Sequence, residues 1–218
     1  MPRPPQALSA LCTAFLCLLL CAGLAQAERV QAEPFAGLGQ AVYLPLAIRQ
    51  PDAPPTPAAT INNGDFETGP GGGWTESSTV LGDKPGAIIK ELHDTSIVAP
   101  RSGRYVAWFG GIHDDISILS QPITLPAGAS HLVYAYRAYS EEPACGVDGG
   151  ELALVRGETV NILDSVELCL ATEREQWTLR QIDLTPYAGQ TWTLRLRVAT
   201  NGSLYSHFFV DDIGIAAN

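Results

Sequence analysis

The segment Phe208-Phe209-Val210-Asp211-Asp212-Ile213-Gly214-Ile215, at the C-terminal end of the chain, decides how the rest is read. Phe, Val and Ile favour the pleated, half-buried surface of a sheet. Two adjacent carboxylates interrupt this apolar run. A carboxylate in a sheet interior needs a partner, because burying an unpaired charge is costly. The acidic segment Asn63-Gly64-Asp65-Phe66-Glu67 opens the same domain. A calcium ion shared between the two segments would supply that partner and clip the first and last strands together.

Between these ends the punctuation is that of an all-β chain. Apolar runs of five to nine residues alternate with Gly/Pro/Asn/Asp clusters, and no stretch keeps helical spacing for three turns. Strands are expected over 87–92, 104–110, 116–125, 131–140, 151–156, 160–163, 176–184, 191–200 and 206–215. In 192–198 the even positions (Trp192, Leu194, Leu196, Val198) are apolar and the odd ones polar, so one face is buried and one is wet. The letters Trp177-Thr178-Leu179-Arg180 recur as Trp192-Thr193-Leu194-Arg195, on either side of a turn at 186–190. Nine or ten such strands make a two-sheet antiparallel β-sandwich of the jelly-roll kind, over residues 61–218.

Residues 1–27 read as a signal peptide. Arg3 provides the basic start, 10–24 an apolar run too short to span a bilayer comfortably, and Ala25-Gln26-Ala27 a small-x-small cleavage site. No later stretch is long enough for a transmembrane helix. Residues 28–60 read as a linker: Pro51, Pro54, Pro55 and Pro57 stiffen its end, and the patch Val42-Tyr43-Leu44-Pro45-Leu46-Ala47-Ile48-Arg49 would be a short strand against the domain edge. Loss of Arg3 takes the net charge from −10 to −11, which disfavours nucleic acid and anionic membranes. Only Cys145 and Cys169 survive removal of the leader. In an exported chain they read as one disulfide, the alternative being two free thiols.

At its two ends the domain resembles jelly-roll carbohydrate-binding modules of the galactose-binding-like superfamily. The opening Asn62-Asn63-Gly64-Asp65-Phe66-Glu67 with Gly73-Trp74-Thr75, and the closing Phe209-Val210-Asp211-Asp212-Ile213, carry that likeness. Its middle resembles the MAM-type and immune-inhibitor-A-like variant of the same jelly roll, through His93-Asp94-Thr95, 102–111, 132–136 and 177–184. The resemblance implies a structural calcium held by Glu67 and Asp211, with Asp94 from the His-Asp-Thr segment and Asp65 as further acids. The other reading is that these carboxylates cap turns and face water.

The chemistry-bearing residues point to binding. Arg137 and Tyr139 on the polar face of a central strand, with Glu141 and Glu142 beyond, form the candidate recognition surface; an ordinary solvated face is the alternative. Trp74, Trp108, Trp177 and Trp192 follow apolar patterns and are expected in the core. His113-Asp114-Asp115 after two glycines is expected as a solvated loop. No Gly-x-Ser-x-Gly, zinc motif or phosphate loop is present, and no catalytic residue is assigned. The expectation is a secreted, non-catalytic module for an extracellular glycan. A cell-surface protein partner, as for MAM domains, is the alternative, and a small hydrolase comes third.

Overall fold

The computed structural model describes residues 60–93, 98–128 and 130–217. Contacts divide the chain into two units, 1–48 and 49–218, and all the described residues belong to the second. The expected signal peptide, most of the linker and Asp94 lie outside the described residues.

The domain is two five-stranded antiparallel sheets. The first runs in the order β1 (Thr75–Ser78), β4 (Ile116–Thr124), β9 (Thr191–Ala199), β6 (Asp148–Arg156), β7 (Thr159–Leu168). The second runs β2 (Ile89–Glu91), β3 (Tyr105–Gly110), β10 (Ser206–Ala217), β5 (Ser130–Ser140), β8 (Arg174–Asp183). This is the jelly-roll sandwich expected from the strand pattern. Leu119, Leu154, Leu194, Leu196 and Val198 of the first sheet meet Phe109, Leu132, Tyr136, Phe208 and Val210 of the second in one core. The alternation in β9 holds as read: Trp192, Leu194, Leu196 and Val198 are buried, and Arg195 reaches Glu151 on the outer face at 3.1 Å.

Strand β1 carries no apolar signal and escapes a sequence reading. Its inward side chains, Glu76 and Ser78, are polar but fully engaged. Glu76 accepts hydrogen bonds from the backbone N–H groups of Gly86, Ile88 and Ile89 at 3.1, 2.6 and 2.9 Å, which ties the first sheet to β2 of the second. The edge strand β7 also runs further than its apolar core suggests, since Asp164, Ser165 and Glu167 find hydrogen bonds or solvent there. Asp164 accepts from Tyr134 Oη of β5 at 2.8 Å and lies 3.5 Å from Arg180 of β8, bridging the two sheets along one side.

Two expectations are corrected. Asp115 is not in a solvated loop: it is 2% exposed. Its carboxylate takes hydrogen bonds from Ser78 Oγ (2.8 Å), Thr79 Oγ1 (2.9 Å), Val80 N (3.1 Å) and Ser117 Oγ, pinning the end of β1 to the start of β4. Burial pushes its pKa up, and those four bonds outweigh burial and hold it below the ordinary value. Trp108 and Trp177 are not in the inter-sheet core, unlike Trp74 and Trp192. In β3 the residues facing the core are Tyr105, Ala107 and Phe109, so Val106 and Trp108 face outward. There they join Leu92, Val98, Phe209 and Trp177 in a second apolar cluster on the outer face of the second sheet.

The opening and closing segments of the domain meet directly. Ile213 N donates to Gly64 O at 2.8 Å. Asn62 exchanges two bonds with the Gln121 side chain, its N–H to Oε1 at 3.0 Å and its carbonyl to Nε2 at 3.1 Å. The Trp74 indole caps Asn63 O at 2.9 Å and packs against Phe66 at 5.8 Å between ring centroids. Gly64 is required here by close approach: a Cβ would sit 2.0 Å from Ile213 O. Gly64→Ala is therefore expected to lower unfolding stability by about 1–3 kcal/mol, measured by urea denaturation, because the backbones must part by a bond's width.

Candidate functional site

The outer face of the second sheet carries a cleft of about 470 Å³, within the size range of small-molecule sites. Its floor is the central strand pair. Arg137 and Tyr139 of β5 lie opposite Phe209 and His207 of β10, so alternation sends all four to the same side. One wall is Glu173, Arg174 and Glu175 at the start of β8, another is Glu141 with Tyr205, and Val98 of the β2–β3 connection contributes an apolar rim. The β5–β8 pairing is irregular here: Tyr136 pairs with Thr178 but Ala138 with Arg174, so β8 holds extra residues that splay it from β5 and open the cleft.

The cleft therefore brings together Arg137 and Tyr139, the two residues singled out as a recognition surface. Glu141 lines it as well, whereas Glu142 is turned inward, accepting Ser203 Oγ at 2.6 Å. The disulfide Cys145–Cys169, with Cα atoms 5.1 Å apart, fastens the loop after Glu142 to the end of β7. Sequence reasoning missed His207, Tyr205 and the Glu173–Glu175 wall. The alternation of His207 and Phe209 against Phe208 and Val210 carried the signal for the first of these. Nothing local in 173–175 marks a wall.

Two aromatic rings stand exposed at the cleft, Tyr139 at 46% and Tyr205 at 45%. Tyr205 is backed by His113, stacked on it with centroids 4.2 Å apart, so one ring face is held and the other is free. His207 packs against Phe209, Tyr139 and Trp108 and accepts a hydrogen bond at Nδ1 from the Trp108 indole at 3.1 Å. Arg137 makes no ion pair among the described residues. Ring faces beside a guanidinium, carboxylates and an imidazole can hold a polyhydroxylated ligand, apolar C–H faces on the rings and hydroxyls on the polar groups.

The expected calcium ligands sit at the far end of the same face. A bulge in β10 between Asp211 and Gly214, with Asp212 at φ +48°, turns both carboxylates toward the 101–105 turn. Asp211 Oδ2 accepts Arg101 N at 2.9 Å and Ser102 N at 3.2 Å, and its Oδ1 accepts Asp212 N at 2.8 Å. Asp212 pairs with Arg101 and accepts Ser102 Oγ at 2.9 Å. Glu67 Oε1 takes Arg104 N and Tyr105 N at 2.8 and 2.7 Å, its carboxylate lying so flat on the turn that a Cβ on Gly103 would meet it at 2.1 Å. Glu67 and Asp211 thus converge on one turn. Asp65 stands apart, exposed, accepting Glu67 N at 3.3 Å in its own turn. Among the described residues no group of three or more His, Cys, Asp or Glu side chains is arranged to hold a metal ion.

No protein-family model and no curated protein matches the sequence. Solved structures match in fold. TmCBM61, a structure determined in complex with β-1,4-galactotriose, superposes with a TM-score of 0.52 at 19% identity, over 72% of this chain and 97% of its own. The K1 and K3 cleaved adhesin domains of Lys-gingipain from Porphyromonas gingivalis W83 give TM-scores of 0.52 and 0.50. Their identities are 15% and 14%, over 73% of this chain and 98% and 100% of theirs. The domain shares its two-sheet antiparallel sandwich with these carbohydrate-binding and adhesin domains, and at these identities the likeness is one of fold.

Asp211, 0% exposed, is pushed up to about 6 by burial, with Asp212 adding to the rise and the backbone N–H groups opposing it. A carboxylate raised above its unfolded value binds its proton more tightly in the folded state. Its contribution is therefore most favourable below about pH 4 and is lost as pH rises through about 6. In cation-free buffer, stability is expected to fall by up to about 3 kcal/mol from this group between those limits, and Asp211→Asn to flatten the profile in urea titrations across that range.

Proposed function

We propose that this chain is a secreted, non-catalytic carbohydrate-binding module, with its ligand in the cleft on the outer face of the second sheet. The observation that carries this reading is the cleft itself: exposed Tyr139 and Tyr205 rings beside Arg137, Glu141 and His207, in a volume of about 470 Å³. Rings take the C–H faces of a sugar and the polar groups its hydroxyls. The fold is one that carbohydrate-binding modules use, and TmCBM61 was solved with a galactotriose. The leader-like residues 1–27 support export.

Affinity electrophoresis and calorimetry against a panel of neutral and acidic oligosaccharides, β-1,4-galactotriose among them, test the reading. Binding is expected for at least one glycan, with Tyr139→Ala weakening it by roughly 10-fold or more and Arg137→Ala by a similar factor, without change in melting temperature. Binding that survives both variants places the ligand elsewhere. Capture of a protein partner in place of any glycan favours the adhesion alternative.

A structural calcium belongs to the same proposal, held by Glu67 and Asp211, whose carboxylates converge on the 101–105 turn, with Asp65 as a further acid in the neighbouring turn and Asp94 outside the described residues. The donor set fits a hard cation in chemistry, since two carboxylates from opposite ends of the domain converge on one turn and one of them is fully buried. The ion would supply positive charge at Asp211 and thereby stabilise the closure of the ends. Millimolar calcium is expected to raise the melting temperature by several degrees relative to chelator, an effect absent in Glu67→Ala and Asp211→Asn. Equal melting with and without calcium means that the hydrogen bonds alone hold the turn.

A further inference from the structure

His207 lies on the cleft floor opposite Tyr139, and one of its contacts constrains its protonation. The indole Nε1–H of Trp108 is a donor only, and it points at His207 Nδ1 from 3.1 Å. That nitrogen must be the unprotonated acceptor, so the ring proton of neutral His207 is on Nε2. The ring's Nδ1–Cε1 edge lies against Gly111, and no described residue accepts from Nε2. The floor of the cleft therefore offers one N–H donor of fixed identity, held by Trp108 on one side and stacked parallel to Phe209 at 6.1 Å on another.

Resting on the carbohydrate reading, we infer that His207 is the residue that selects the ligand: its Nε2–H donates to a hydroxyl or ring oxygen of an uncharged saccharide, and protonation of the ring releases that saccharide. The charge of the lining argues for a neutral ligand. Three carboxylates, Glu141, Glu173 and Glu175, face two guanidinium groups, Arg137 and Arg174, and Arg174 is already bonded to the Glu173 carbonyl at 2.7 Å. A uronic acid or sulfated sugar would meet net negative charge there.

Release on acidification follows from the same hydrogen bond. A proton added at Nδ1 sets an N–H against the indole N–H, donor against donor, and the ring must leave its place. The groups facing it are Trp108 on β3, Arg137 and Tyr139 on β5, Glu141 after β5, Tyr205 before β10, and Glu173, Arg174 and Glu175 across the cleft. Of these, Glu141 attracts the imidazolium charge. Burial lowers the His207 pKa below the ordinary histidine value, with Glu141 opposing, so the neutral donor form prevails at pH 7.

Long-range nitrogen–proton NMR of the exported chain, titrated from about pH 8 to pH 4.5, reads both the tautomer and the pKa of His207 without any ligand. The expected spectrum shows Nε2 protonated and Nδ1 bare at neutral pH; a proton on Nδ1 overturns the inference. Calorimetry with β-1,4-galactotriose, cellotriose, xylotriose and trigalacturonate over the same range reads the consequence. Only the neutral sugars are expected to bind, with Kd rising about tenfold for each pH unit below the measured His207 pKa. His207→Gln, which keeps an N–H donor but does not titrate, is expected to retain measurable binding that no longer varies with pH. Neutral-sugar binding that ignores the His207 titration, pH dependence that survives His207→Gln, or preference for trigalacturonate overturns this inference and leaves the carbohydrate reading intact. Absence of binding by every sugar at pH 7.5 overturns both.

Discussion

The turn at 101–105 is gripped from two ends of the chain at once. Glu67, in the opening segment, accepts its Arg104 and Tyr105 amides, while Asp211, in the last strand, accepts those of Arg101 and Ser102. A turn exposes backbone N–H groups that no sheet ladder satisfies, and carboxylates are their strongest acceptors. Because one acceptor comes from each terminus of the domain, holding the turn also closes the sandwich. The Gly64–Ile213 backbone bond completes the closure beside it. The same connection carries Val98, which caps the outer apolar cluster and forms the rim of the cleft. Closure of the ends and shape of the cleft are therefore one structural problem.

Elsewhere the sandwich is tied by the same device, an acidic side chain turned inward and saturated with donors. Glu76 joins β1 to the residues entering β2, Asp115 joins the end of β1 to β4, and Asp164 receives Tyr134 and Arg180 from the opposite sheet. Buried acids of this kind would be severe liabilities if left unpartnered. Apart from Ser117, two residues from Asp115, their partners lie 10 to 37 residues away in sequence, so the acids specify which strands meet as well as satisfying turns.

The second sheet is apolar on both faces over part of its area. Its inner face builds the core, and its outer face carries Val106, Trp108 and Phe209 under the β2–β3 connection before giving way to Arg137, Tyr139 and His207. That transition is what makes a cleft with an apolar end and a polar floor. Trp108 belongs to both parts, packing on Phe209 and orienting His207 through its indole nitrogen.

The sequence by itself determined the elements whose physics is local. Periodicity placed nine of the ten strands and the buried face of β9, and alternation along the central strand put Arg137 and Tyr139 on one surface. What it could not reach depended on partners distant in the chain. Strand β1 is polar and exists because Glu76 and Ser78 find donors and acceptors far away; Asp115 looks like a loop residue and is a buried anchor for the same reason. Trp108 and Trp177 read as core because an apolar residue in a strand has two possible faces, and only the covering of the outer face by a connection shows which apolar layer it joins. His207, Tyr205 and the 173–175 wall converge only because β10, β5 and β8 are neighbours in a sheet whose order, 2-3-10-5-8, is a tertiary fact. Side-chain period is written in consecutive residues; strand order and cross-chain hydrogen bonds are decided by burial competing over the whole chain.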